Sequence, residues 1–204
     1  MPRPNPRNRR PAEVLTDPEV MRLMNACPRT SPGVRNRALI AMLYRSGLRL
    51  GEALAVRPKD VDVLTGAIRV LHGKGGRSRT CGIDVDALAI VLDWMERREQ
   101  WLDENASSAS SPIFCTRSGL PMAQAYFRRF LKRLARSAGI PKRVHAHGLR
   151  HTHAAQLRTE RLDIGLISKQ LGHASIATTA LYLDHVAPLA VVEAMRNRVW
   201  VRHA

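Results

Sequence analysis

Acidic side chains are scarce in this chain. Its 204 residues hold 17 Asp and Glu against 33 Lys and Arg, a formal charge of +16 at pH 7. Cysteine is sparse too: Cys27, Cys81 and Cys115 are odd in number and show no paired spacing. That excludes a disulfide framework and suits reduced thiols in a cytoplasmic protein. No run approaches the ~18 apolar residues of a membrane span. The basic start, Met1 to Arg10, is followed by no apolar stretch, so it is not a signal peptide. Internal repeats and low-complexity segments are also missing. The 45% apolar content is ordinary for a globular protein, so disorder is not expected, and the length suits one medium domain with a sizeable core.

Positive charge is what the chain has in excess. A polyanion is the natural partner, because each phosphate neutralised by Lys or Arg releases counterions. An anionic membrane surface is the second candidate. A merely solubilising surface, or a GC-rich genome favouring Arg, is the plain alternative. Residues 1–12 are rich in Pro and Arg, which predicts an extended, solvated arm or linker.

From residue 13 onward the pattern is mostly helical. Thr16-Asp-Pro-Glu19 has the form of a capping box with Pro just inside a helix running to about Cys27. A second helix is expected from Val34 to Ser46, with Leu39, Ile40, Leu43 and Tyr44 on one face and Gly47 as a left-handed cap. A short helix follows from Leu50 to Val56. Residues 66–85 change to a period near two and read as a β-hairpin with Gly75-Gly76 at its turn. Asp86 is expected to cap a helix reaching about Asn105. Pro112 to Cys115 reads as a short strand, and 123–138 as a basic helix. Helices near 148–159, 163–171, 175–183 and 188–200 complete an α+β fold, mostly α-helical with a small antiparallel β-sheet.

Four histidines fall within His145-Ala-His-Gly-Leu-Arg-His-Thr-His153. His147 and His151 have the i, i+4 spacing of two metal ligands on one helix face. The intervening Gly148-Leu149-Arg150 is not the Glu-x-x of a zinc protease, and a guanidinium on that face repels a divalent cation. The same face suits an anion, since Arg presents a planar fork of donors to two phosphate oxygens. A second arginine, Arg49, lies just after a helix end, with Glu52 three residues on to orient it; a local surface ion pair is the bland reading. Lys74 sits at the hairpin tip in Gly73-Lys-Gly-Gly76, which lacks the Walker spacing. Residues 163–183 by themselves resemble a helix-turn-helix, a unit that binds DNA without catalysis.

Taken in order, Gly47-Leu-Arg-Leu-Gly-Glu52, the Lys74 hairpin, His147-Gly-Leu-Arg-His151, Leu171-Gly-His173 and Thr178-Thr-Ala-Leu-Tyr182 resemble the tyrosine recombinases, or phage integrases. The resemblance implies a site-specific recombinase that breaks and rejoins DNA through a 3′-phosphotyrosyl intermediate, with no metal, ATP or other cofactor. It implies Tyr182 as nucleophile, Arg49 and Arg150 as the phosphoryl clamp, Lys74 as acid for the leaving 5′-oxygen, His147 near the tyrosine's proton and His173 as a donor to a phosphate oxygen. Glu52 and His151 are expected to support that set. Tyr44 and Tyr126 are expected to be packed. Many family members have a histidine two residues after the nucleophile; here His185 is third.

The resemblance further implies a catalytic domain over 13–204 without an N-terminal core-binding domain, acting on double-stranded DNA as a homo-tetramer on paired sites. A monomer without DNA is compatible with this. A cytoplasmic protein of bacterial, phage, plasmid or mobile-element origin is expected. The amphipathic segment 186–200 either docks on a neighbouring protomer or packs on its own domain. A non-catalytic helix-turn-helix-like regulator and a type IB topoisomerase-like relaxing enzyme are the alternatives.

Overall fold

In the computed structural model, residues 13–71, 78–187 and 190–197 are described. The expected arm at 1–12, the hairpin tip with Lys74, and the ends of the last segment lie outside them. Among the described residues no helix is long and apolar enough to cross a membrane.

The chain is organised around α2 (Ser31–Ser46). Leu39, Ile40, Ala41, Met42 and Leu43 are all at most 1% exposed. A helix buried all round, rather than on the single face expected, belongs at the centre of a core. Its neighbours are α1 (Asp17–Asn25), α4 (Val85–Trp101) and α6 (Ala146–Thr159). The box expected ahead of α1 is formed: the Thr16 hydroxyl accepts from the Glu19 amide, and Glu19 returns a bond to the Thr16 amide. Gly47 ends α2 at φ 65°, where a side chain would be strained.

The short α3 (Leu50–Ala53) leads through a 3₁₀ turn (Pro58–Asp60) to β1 (Ala67–Val70) and β2 (Arg79–Gly82). These strands pair antiparallel with Ile68 opposite Cys81. The start of α4 differs from expectation. Asp84, not Asp86, is the cap: its carboxylate accepts from the Ala87 amide and from Arg45 Nε. The helix ends at Trp101, short of Asn105. Residues 112–115 form only an isolated bridge, Cys115 to Pro121, and Ile113 instead donates its amide to the Val56 carbonyl. Arg98, fully buried, holds the preceding loop by donating to the Pro112, Ser108 and Ser111 carbonyls.

After α5 (Gln124–Ser137) and α6 come α7 (Ile164–Leu171), α8 (Ile176–Val186) and α9 (Ala190–Arg196). Ala154, Ile167, Leu171, Leu183 and Val186 make a second, smaller apolar cluster where α6, α7 and α8 meet. The larger core includes Leu149 of α6, so α6 faces both clusters and its polar residues fall between them. The architecture is mostly helical with a small two-stranded antiparallel sheet, as the periodicity implied.

Candidate active site

Arg150 occupies that position on α6. It is 1% exposed. Nη1 donates to the Gly47 carbonyl, and Nη2 donates to the Leu171 carbonyl at 2.6 Å. Both acceptors lie at helix C-termini closed by left-handed glycines, Gly47 and Gly172. Carbonyls there lack helical partners and carry the negative end of the helix dipole. The guanidinium therefore ties α2, α6 and α7 together while keeping its positive charge. Burial and the nearby Arg49 bring its pKa down to about 10, which leaves it charged at neutral pH.

Arg49 enters from the N-terminus of α3. It donates Nη1 to Glu52 at 2.8 Å and its amide to the same carboxylate at 2.9 Å. Its side chain remains 30% exposed, whereas that of Glu52 is 5% exposed. Glu52 has a second partner that the motifs do not include. Arg79, at the start of β2, grips both carboxylate oxygens, Nη1 at 3.0 Å and Nη2 at 2.8 Å. Desolvation of Glu52 is outweighed by these donors, and its pKa falls to about 2. Arg79 also lies against Gly172, where a Cβ would stand 2.4 Å from its Nε. It thus joins the hairpin, α3 and the turn before His173. Only a buried acidic residue within reach of β2 could have pointed to it, and sequence spacing does not reveal that reach.

α8 is capped by Ser175, whose hydroxyl accepts from the Thr178 amide. Its Tyr182 ring stands among three imidazoles. His151 stacks on it at 5.1 Å between centroids, His173 meets it edge-on at 5.1 Å and His147 edge-on at 6.4 Å. The Tyr182 hydroxyl is buried and has no hydrogen-bond partner among the described residues. Burial drives its pKa up to about 12, although Arg150 and Arg49 pull the other way. The imidazoles are held neutral. Burial, then Arg150, lowers His147; burial, then His147, brings His151 to about 3; burial, then Arg150, brings His173 to about 4.

The expected residues Arg49, Glu52, His147, Arg150, His151, His173 and Tyr182 thus converge from four separate stretches of chain. Lys74 lies outside the described residues. Tyr44 is buried and donates to Asp17; Tyr126 stacks on Phe130 and accepts from Asn36. His185 reaches the edge of His151 at 6.0 Å. His145 caps α6 by accepting from the Gly148 amide, and His153 is buried under Gly47. His147 and His151 meet edge-on at 4.4 Å while His145 and His153 serve elsewhere, and among the described residues no group of three or more His, Cys, Asp or Glu could hold a metal ion. A buried phenol facing two guanidiniums and neutral imidazoles has the components for attack on an anionic, tetrahedral phosphorus centre.

Known proteins resemble this chain in sequence and in fold. Tyrosine recombinase XerC of Xanthomonas campestris pv. campestris (strain B100) is 35% identical over 170 residues, 83% of this chain and 50% of that protein. The chain thus spans about half the length of this curated relative. The crystal structure of XerA recombinase superposes with a TM-score of 0.78 at 28% identity, covering 94% of this chain and 67% of that one. XerH site-specific recombinase, bound to a palindromic difH substrate in a post-cleavage complex, superposes with a TM-score of 0.73 at 26% identity, covering 91% and 53%. The phage integrase family profile matches residues 13–187, and with the motifs, the fold and these relatives in agreement, the chain belongs to the phage integrase family.

Proposed function

We propose that this chain is the catalytic part of a site-specific recombinase that breaks and rejoins double-stranded DNA through a 3′-phosphotyrosyl link. The observation that carries the proposal is the Tyr182 hydroxyl, buried beside Arg150 and Arg49 with no hydrogen-bond partner among the described residues. A phenol of such high pKa is inert until a reacting group arrives. A scissile phosphate held by the two guanidiniums supplies that group. The phenol oxygen bonds to phosphorus, its proton leaves to a neutral imidazole, and the 5′-oxygen departs with a proton, for which Lys74 is the proposed donor. Fixed donors at the phosphoryl oxygens contribute several kcal/mol in sites of this kind, about 3–4 for one donor. The phosphotyrosyl bond keeps the energy of the phosphodiester, so rejoining reverses the same steps.

The exposed Arg128, Arg129, Lys132, Arg133 and Arg136 on α5 support DNA as the partner. The exposed Val191, Val192 and Met195 on α9 support docking on a neighbouring protomer, as a tetramer on two paired sites requires. A purely DNA-binding role leaves the buried charge arrangement without a use.

A nicked suicide DNA substrate with EDTA present tests the proposal. A covalent protein–DNA adduct is expected, and Tyr182→Phe removes it while leaving DNA binding intact. An adduct mapping to Tyr44 or Tyr126, or a need for magnesium, overturns the assignment.

A further inference from the structure

His173 has two neighbours that together decide where its proton lies. Nε2 is 3.2 Å from Arg150 Nη2, and Nδ1 is 2.9 Å from the Thr179 hydroxyl. A guanidinium only donates, so a neutral ring can bond to it only through a bare Nε2. The ring hydrogen then sits on Nδ1 and is given to Thr179 Oγ1. Thr179 is fully buried, one turn before Tyr182 on the same helix. Its hydroxyl can accept this bond while turning its own hydrogen toward a carbonyl of the preceding turn.

We infer that Thr179 is a positioning residue that holds His173 with hydrogen on Nδ1, so that the neutral ring presents an acceptor, not a donor, to the phosphate site. The inference rests on the phosphoryl-transfer reading above and deepens it. His173 was expected to donate to a phosphate oxygen. In this tautomer it can do so through Nε2 only as an imidazolium. In the free protein the ring is faced by Arg150 and His147 of α6, Arg49 before α3, Arg79 of β2 and Tyr182 of α8. Burial, and then the three arginines, oppose a positive charge on it, so the ring stays neutral. A bound phosphodiester offsets that charge, and the ring takes up a proton as the phosphate enters. The donor then formed is charge-assisted, and stronger than a neutral imidazole. A site without phosphate thereby lacks one of its donors.

Long-range proton–nitrogen NMR on histidine-labelled protein reads the tautomer directly, with the His173 signals identified by their loss in His173→Gln. The expected result at neutral pH is hydrogen on Nδ1 and a bare Nε2. Thr179→Val, nearly the same shape, shifts the ring toward the other tautomer, and Thr179→Ser retains the original one. Hydrogen on Nε2 in the unmodified chain, or an unchanged ring in Thr179→Val, overturns the inference.

Single-turnover cleavage of the suicide substrate supplies the second readout, with DNA affinity and thermal unfolding measured in parallel. Thr179→Val is expected to cleave about five- to tenfold slower near pH 6, the scale of one lost neutral hydrogen bond. The gap narrows toward about pH 9, where the unmodified ring is deprotonated and its advantage ends. Thr179→Ser cleaves like the unmodified chain. A rate ratio constant with pH, and no better for Ser than for Val, means that Thr179 only packs. Failure of the unmodified chain to form any adduct removes the phosphoryl-transfer reading, and the NMR result still decides the tautomer.

Discussion

Replacing Glu52 by glutamine keeps the side chain's shape and removes its charge. In the folded protein this carboxyl is held at about 2, against an ordinary value of 4.5, by Arg79 and Arg49. At roughly 1.4 kcal/mol per pH unit, that difference corresponds to about 3 kcal/mol of stability at neutral pH. The side chain is 5% exposed, so solvent screening does not erase it. The figure also falls within the ~3–5 kcal/mol found when one partner of a buried ion pair is removed. The sign fixes the pH window. A depressed carboxyl stabilises the fold fully above its unfolded value, near 4.5, and the contribution disappears as pH falls through about 2. Urea unfolding of the unmodified chain and Glu52→Gln, across a pH series, measures the effect. The variant is expected to be less stable by about 3 kcal/mol at pH 7, narrowing to about 1 kcal/mol near pH 3. A difference below ~0.5 kcal/mol, the range of exposed pairs, refutes the reasoning. So does a difference that ignores pH.

Arg150→Lys is expected to reduce cleavage by roughly a hundredfold or more, because an ammonium cannot reach two helix-end carbonyls and a phosphate together; cleavage within a few-fold of normal on the suicide substrate contradicts that. His153→Phe is expected to stabilise the fold in mild acid. Both ring nitrogens of His153 are buried without hydrogen-bond partners among the described residues, and burial lowers its pKa to about 4. The unfolded chain takes up the proton first, so stability is lost as pH falls from about 6.5 toward 4. The variant removes that loss, by about 1–2 kcal/mol near pH 5, and thermal unfolding at pH 5 and pH 8 checks it.

What could be read in advance was local. The Thr16 box and the Gly47 and Gly172 turns depend on residues within one helical turn. The Asp84 cap was misassigned to Asp86 because two aspartates precede the same apolar helix. Arg45, 39 residues away, favours the nearer one by gripping its carboxylate. Motif order separates Tyr182 from Tyr44 and Tyr126, and its lack of hydrogen-bond partners among the described residues emerges only in three dimensions. Arg79 and Thr179 were missed for related reasons. Arg79 meets Glu52 27 residues away. Thr179 is one of two adjacent threonines, and nothing in their spacing says which faces His173.

Among the described residues, Arg150 is the side chain shared by the proposed phosphate clamp and the ties that hold the ends of α2 and α7. The guanidinium cannot take its working orientation until both helix ends have formed. The basic surface of α5 makes no such demand. A chain that has come partly undone would therefore keep its basic α5 surface, the proposed attraction for DNA, but have no assembled clamp. On the proposed function, cutting is thereby restricted to intact molecules, a safeguard against stray breaks that needs no separate inhibitor.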